Sequence, residues 1–204
     1  MSVIPLPVPL QAMTDRDLES ELLGLAGHLA AAECRFLQLL AEFDDRKGWA
    51  GDGIVSCAHW LSWRAGMCLR TGAERLRVAH ALRNLPRITE AFAAGRVSYS
   101  KVRAITRATG SDAATLTQMA AEIAAGTSAL RHTTVTDPET AEQVLLNVAL
   151  YGTASHVETV VRAVRRRHTP PGDLAARRSV SWRGGMRTGR WSCGLGSPRT
   201  RAPR

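Results

Sequence analysis

Within the first quarter of the chain, apolar residues return at alternating intervals of four and three: Leu18, Leu22, Leu25, Leu29, Ala32, Phe36, Leu39 and Phe43. This spacing is an a/d heptad seam sustained over nearly four heptads. Thr14 supplies a helix cap, and Asp15 and Asp17 place acids in the first turn, where the helix dipole favours them. A helix is therefore expected from here to about Arg46, stopping in the glycine-rich Gly48-Trp-Ala-Gly-Asp-Gly53. A helix bearing such a seam must bury it, either against the rest of the chain or in a homodimer.

Beyond Gly53 the pattern breaks into shorter amphipathic stretches with their own punctuation. Ser56 caps a helix from Cys57 to Ala65, which Gly66 ends; Thr71-Gly-Ala-Glu74 reads as a capping box opening the next, to about Asn84. Pro86 suits the first position of a helix stopped by Gly95, and Ser98 caps another from Tyr99 to about Thr109. Asp112 to Ala125 reads as helix. Asp137-Pro138 starts one ending near Tyr151-Gly152, and Thr153 or Ser155 starts the last, running into Arg165-Arg-Arg. No stretch alternates with a period of two, so the expected fold class is all-α: a helical bundle with a long N-terminal helix.

The ends are of a different kind. Residues 1–13 are apolar but interrupted by three prolines and lack a basic lead-in, so they read as a disordered extension, neither signal peptide nor membrane span; Met13 is a candidate natural start. The body is expected over 14–167 and a disordered Arg/Gly/Pro-rich tail over 168–204. The formal charge of +9 resides at that end. Eleven of the 27 basic residues and one of the 18 acids lie between Arg165 and Arg204, leaving sixteen against seventeen before them. A mixture of Arg, Gly, Pro, Ser and Trp is what a GC-rich coding sequence yields out of frame, so a truncated or frame-slipped end is expected over an evolved basic tail. Cys34, Cys57, Cys68 and Cys193 have no metal-binding spacing and read as reduced buried thiols of a cytoplasmic protein.

Ala58 to Leu82 has the layout of a helix-turn-helix. Leu61 and Ser62 fill the apolar and small positions of the first helix, Ala65 and Met67 flank the turn glycine Gly66, and Ala73, Leu76 and Ala79 face inward from the second. Arg70, Arg75 and Arg77 then lie at the outward, N-terminal part of the second helix, which in such motifs enters a major groove. Lys101, Arg103 and Arg107 add positive charge to the helix after Ser98. The plainer reading is equally open. Two capped helices joined by a glycine occur in any bundle, arginines beside Glu74 suit a solvated face with local ion pairs, and a body of net charge −1 is weak support for DNA binding.

Trp60-Leu-Ser-Trp-Arg-Ala-Gly66, Ala79-His-Ala-Leu82, Leu85-Pro86, Gly95-Arg-Val-Ser98 and Leu145-Leu-Asn-Val-Ala-Leu-Tyr-Gly-Thr-Ala-Ser-His-Val-Glu158 together resemble the 13E12-repeat family of mycobacteria and other actinobacteria, domain of unknown function 222. The resemblance covers roughly Leu18 to Trp182. It implies a helical domain that commonly precedes an HNH nuclease domain. After Arg183 the sequence departs from the family pattern.

No catalytic constellation accompanies that resemblance. An HNH site needs a general-base His, an Asn and a metal-binding His around a strand hairpin, but Asn84 and Asn147 both fall in expected helices and no strand pair follows the last histidine, His168. His28, His59, His80, His132 and His156 are scattered singly and read as ordinary surface or core residues; Asp44-Asp45 beside Arg46-Lys47 suits local charge pairing. No phosphate loop, nucleophile elbow or metalloprotease motif occurs. The sequence therefore points to a non-catalytic helical module without metal, cofactor, small-molecule substrate or membrane partner, a partial copy of an HNH-associated protein. It would bind DNA through Arg70, Arg75, Arg77, Lys101 and Arg103. The alternative is self-association through Leu18, Leu22, Leu25, Leu29, Phe36, Leu39 and Phe43.

Overall fold

A computed structural model of the chain describes residues 9–107, 113–127, 129–130 and 132–168. Most of the expected N-terminal extension and, from residue 169 onward, the expected tail lie outside these residues. The chain divides into two units, Met1–Arg165 and Arg166–Arg204, and the description that follows concerns the first.

A single 3-10 turn, Leu10–Ala12, leads into eight helices among the described residues: α1 Asp15–Asp45, α2 Cys57–Ala65, α3 Leu69–Leu82, α4 Pro86–Ala93, α5 Tyr99–Thr106, α6 Ala113–Gly126, α7 Pro138–Tyr151 and α8 Ala154–His168. The fold is all-α; the described residues form no strand, only an isolated bridge between Gly51 and Ile54. Local signals set most termini. Thr14 and Asp17 form a reciprocal capping box, Ser56 Oγ accepts from His59 N at 3.1 Å, and Asp137 and Thr140 close a second box at α7. Gly66 and Gly95 stop their helices in the left-handed region, at φ 65° and 72°. One expected cap is corrected. Thr71-Gly-Ala-Glu74 does not open α3, which begins at Leu69 with Cys68 as its cap position; Glu74 instead turns its carboxylate to Arg77 and Arg107.

α1 crosses α3 and α4, α2 lies on α3, and α6 lies on α7; α4 and α5 each touch α7 and so join the two groups of helices. The core face of α1 is Ala30, Cys34, Leu37, Leu40 and Ala41 rather than the heptad row. Small residues on this face let neighbouring backbones approach, and Cys34 Sγ lies 3.6 Å from the Thr89 carbonyl of α4. At the α2–α3 crossing the close contact is between Ala58 and Gly72, where an added Cβ would meet the Ala58 carbonyl at 3.3 Å. The inward row of α3 is accordingly Gly72, Val78, Ala79 and Leu82, with Leu76 half-buried; Ala73, expected inside, is exposed. Cys34 and Cys57 are buried free thiols, while Cys68, expected buried, is exposed.

Two polar devices, one partly exposed and one buried, fix α1 and α4. Asp44, at the end of α1, accepts from Trp49 Nε1 and from His80 Nε2, both at 2.9 Å, and Asp45 pairs with Arg83. Their partners are thus on α3 and the following loop, not Arg46 and Lys47 as the sequence suggested; Arg46 bonds Glu42 instead. Burial, followed by the charge and hydrogen bonding of Asp44, pushes the Cys57 thiol up to about 11, so it stays protonated. From α7, Glu142 is buried with its Oε1 accepting the Ile88 N–H at 2.8 Å, capping a neighbouring helix from the side. Burial holds its carboxyl above the usual range despite that bond.

Candidate functional site

Two surfaces stand out. The first is a hollow of about 630 Å³ beside α3 and α5, lined by Arg70, Thr71, Ala73, Glu74, Arg75, Arg77, Tyr99, Arg103 and Arg107. Four of the five residues expected to meet DNA line it. The fifth, Lys101, does not: its Nζ donates to the Ala149 carbonyl at 2.7 Å, near the C-terminal end of α7 where a cation is favoured.

The five guanidinium groups of the hollow have unequal commitments. Arg75 is largely buried, with one-fifth of its side chain exposed. It donates to Glu33 of α1 at 3.0 Å and lies over the rings of Tyr99, at 4.8 Å, and Phe36, at 5.6 Å. Arg77 grips Glu74 with two nitrogens, at 3.0 and 3.2 Å, and donates to the Thr106 carbonyl at 2.8 Å, tying α3 to α5. Arg107 also bonds Glu74, at 2.9 Å, with Glu158 at 3.6 Å. The Arg77 hydrogen bond, outweighing partial burial, holds the Glu74 carboxyl below its usual range, so it remains charged beneath both arginines. The expectation that Arg75 and Arg77 project outward from a recognition helix is therefore corrected: both are drawn inward by partners on α1 and α5. Arg70 is exposed at the first turn of α3 and Arg103 is half-buried on α5. Neither has a carboxylate partner among the described residues.

The second surface is the heptad row of α1, which divides in two. Its lower part is absorbed by the chain: Phe43 packs on Trp60 with ring centroids 4.6 Å apart, and Phe36 lies under Arg75. Its upper part is bare. Leu22 and Leu29 are 67% and 66% exposed, Leu25 about half, and Leu18 is half-buried; of the lower part only Leu39, between the two phenylalanines, is similarly open. From Asp15 to Leu29 no side chain of α1 is buried. The contact that holds this end of the helix is a backbone one, Gly27 against Gly95 of the α4–α5 turn.

A third hollow, of about 670 Å³ between the ends of α6, α7 and α8, is lined by Leu130, Val148, Tyr151 and His156 among others and carries no Arg, Lys, Asp or Glu. Among the described residues no three His, Cys, Asp or Glu side chains are grouped to hold a metal ion. No described helix is long and apolar enough to cross a membrane.

Residues 17–190 match the family described as Domain of unknown function (DUF222). The chain belongs to the DUF222 family. The match takes in nearly all of α1 and every later helix, and continues past Arg167, so both the bare leucines and the arginine hollow lie within the matched residues. No curated protein and no solved structure matches the chain.

The sequence singles out Arg70, Arg75, Arg77 and Arg103 and allows local ion pairs with Glu74, but it reads Arg107 only as added charge and does not show that Glu74 holds Arg77 and Arg107 together. The signal available was the spacing of Glu74 and Arg77, three apart on one helix face. Nothing in the sequence could link Glu74 to Arg107 or Glu33 to Arg75 across helices.

Proposed function

We propose that this DUF222 chain is a non-catalytic interaction module that pairs two copies through the upper part of α1. The observation that carries the reading is the run from Asp15 to Leu29, four turns of helix with no buried side chain and a continuous leucine row. A helix of that length is marginal alone in water, and its stability ordinarily comes from covering an apolar face. A second copy suits the face because the row keeps a/d spacing, the pattern that lets identical helices interdigitate. Fully burying a leucine is worth about 1.5–3 kcal/mol, so half to two-thirds of that from Leu22, Leu25 and Leu29 on each copy comes to roughly 8 kcal/mol. That lies within the ~4–15 kcal/mol cost of association, which favours a dissociable dimer over a permanent one.

DNA binding through Ala58–Leu82 has less support, because Arg75 and Arg77 are already engaged within the chain. Sedimentation equilibrium of the full chain tests the pairing. A dimer in the micromolar range is expected, becoming monomeric in Leu22→Glu and Leu25→Glu, while Leu10→Glu, exposed outside the row, leaves it intact. A wild-type chain that stays monomeric at the highest soluble concentration, or glutamate variants that still dimerise, overturns the reading.

A further inference from the structure

We infer that the arginine hollow is a phosphate-binding site, with Arg70 and Arg103 as the ligand-facing cations and Arg75, Arg77 and Arg107 as its framework. The argument begins from the division of labour among the five guanidinium groups. Three are held in place by carboxylates: Arg75 by Glu33, and Arg77 and Arg107 by Glu74. These pairs hold the wall of the hollow but offset one another's charge. Arg70 and Arg103 line the same hollow with no carboxylate partner among the described residues. They lie on different helices, α3 and α5, which Arg77 ties together through the Thr106 carbonyl. Two uncompensated cations facing one cavity attract an anion, and a planar guanidinium matches phosphate oxygens with paired donors.

Two neighbours complete the site. Thr71, whose hydroxyl lies 3.1 Å from Cys68 Sγ, stands on the hollow's wall beside Arg70 in the first turn of α3, where backbone N–H groups lack helical partners. Tyr99 supplies an aromatic wall, and its hydroxyl remains protonated because burial raises it above the usual range. A hollow of about 630 Å³ accommodates a phosphate with an attached group. Glu74 also lines the hollow and stays ionised, so it opposes the entry of a second anion. The shared chemistry is a phosphate oxygen, whether of a free phosphate compound or of a nucleic-acid backbone. No base-reading is implied, since two of the three arginines expected to reach into a groove, Arg75 and Arg77, are held inside.

The test is a titration of the isotope-labelled full chain with inorganic pyrophosphate, followed by the amide and guanidinium resonances, and repeated with a short DNA duplex. Saturable shifts are expected at Arg70, Thr71 and Arg103. Arg70→Glu, at an exposed position that leaves folding intact, and Arg103→Ala should each weaken the site by about tenfold, the loss of one charged hydrogen-bond partner. Shifts at these residues with pyrophosphate alone identify a free phosphate compound as the ligand. Shifts with both identify the common phosphate group, and shifts with the duplex alone identify the nucleic-acid backbone. Shifts confined to the arginines of residues 165–204 with either titrant, or affinities unchanged in both variants, overturn the inference.

Discussion

Replacing Gly95 by alanine should damage the protein far more than replacing Gly27, although the two glycines touch each other. Gly95 has φ 72°, and a Cβ built on it would lie 2.7 Å from the Gly27 carbonyl oxygen and 2.9 Å from its Cα. Both obstacles are backbone, so no rotamer change relieves them. The left-handed conformation costs alanine about 1–2 kcal/mol. To restore ordinary contact α1 must withdraw by roughly 0.7 Å, and strain of this kind in a close-packed interior costs about 1–3 kcal/mol more. Ala30 and Cys34, the next core residues along α1, are buried against the same group of helices and resist that movement. The expected loss is therefore about 2–5 kcal/mol, which for a chain of this size lowers the melting temperature by roughly 10 °C. Gly27→Ala is different. Its Cβ meets only the Gly95 carbonyl, at 3.7 Å, an ordinary contact, and a helix-interior glycine replaced by alanine gains about 0.5–1 kcal/mol. Gly24, with nothing within 4 Å, serves as the control for that gain. Urea denaturation of the three variants decides the matter. Equal losses for Gly95→Ala and Gly27→Ala, or a neutral Gly95→Ala, would show that α1 does not rest on the α4–α5 turn.

Arg75→Ala should cost about 2 kcal/mol in chemical denaturation, because it removes the Glu33 pair and two cation–π contacts at a mostly buried position, whereas Arg70→Ala should cost under about 0.5 kcal/mol; equal effects would refute the internal placement of Arg75. Glu142 has its folded-state pKa raised by burial, so the stability it contributes is fully present at acid pH and is lost as pH rises above the ordinary glutamate range. Glu142→Gln, which keeps an acceptor for Ile88 N–H, should therefore flatten the stability–pH curve above that range, while Glu142→Leu should cost about 1–3 kcal/mol at every pH by orphaning that donor. Parallel curves for wild type and the glutamine variant would reject the buried-carboxylate account.

Helix ends were legible in the sequence because their determinants lie within a few residues of each other. Thr14 with Asp17, Ser56, Pro86 and Asp137 all start helices, and Gly66 and Gly95 end them, where local chemistry requires. Thr71-Gly-Ala-Glu74 misled for an instructive reason. The motif is correct for a capping box, but α3 had already begun at Leu69, and Glu74 gains more from two arginines than from a backbone N–H. The packing face of α1 was harder to read. The heptad row holds its largest residues and dominates any periodicity count, yet the row that enters the core is Ala30, Cys34, Leu37, Leu40 and Ala41, chosen by close approach rather than by size.

The arginines illustrate a different gap. Their positions along α3 and α5 were visible, and so was their shared sign, but charge in a sequence carries no record of what neutralises it. Arg75 finds Glu33 forty-two residues away, and Arg77 finds Thr106 at a distance of twenty-nine. Each such pair converts a cation available to a ligand into a strut between helices, so counting arginines overstates the charge a partner meets. What survives the subtraction is Arg70 and Arg103, which nothing in the sequence separates from the other arginines. The same reasoning applies to the leucines: Phe36 and Phe43 share the row with Leu22 and Leu29, but contacts with Arg75 and Trp60 occupy them. In both cases the candidate site is the part of a sequence pattern that the fold leaves unspent, and only the folded arrangement separates that remainder from the scaffold.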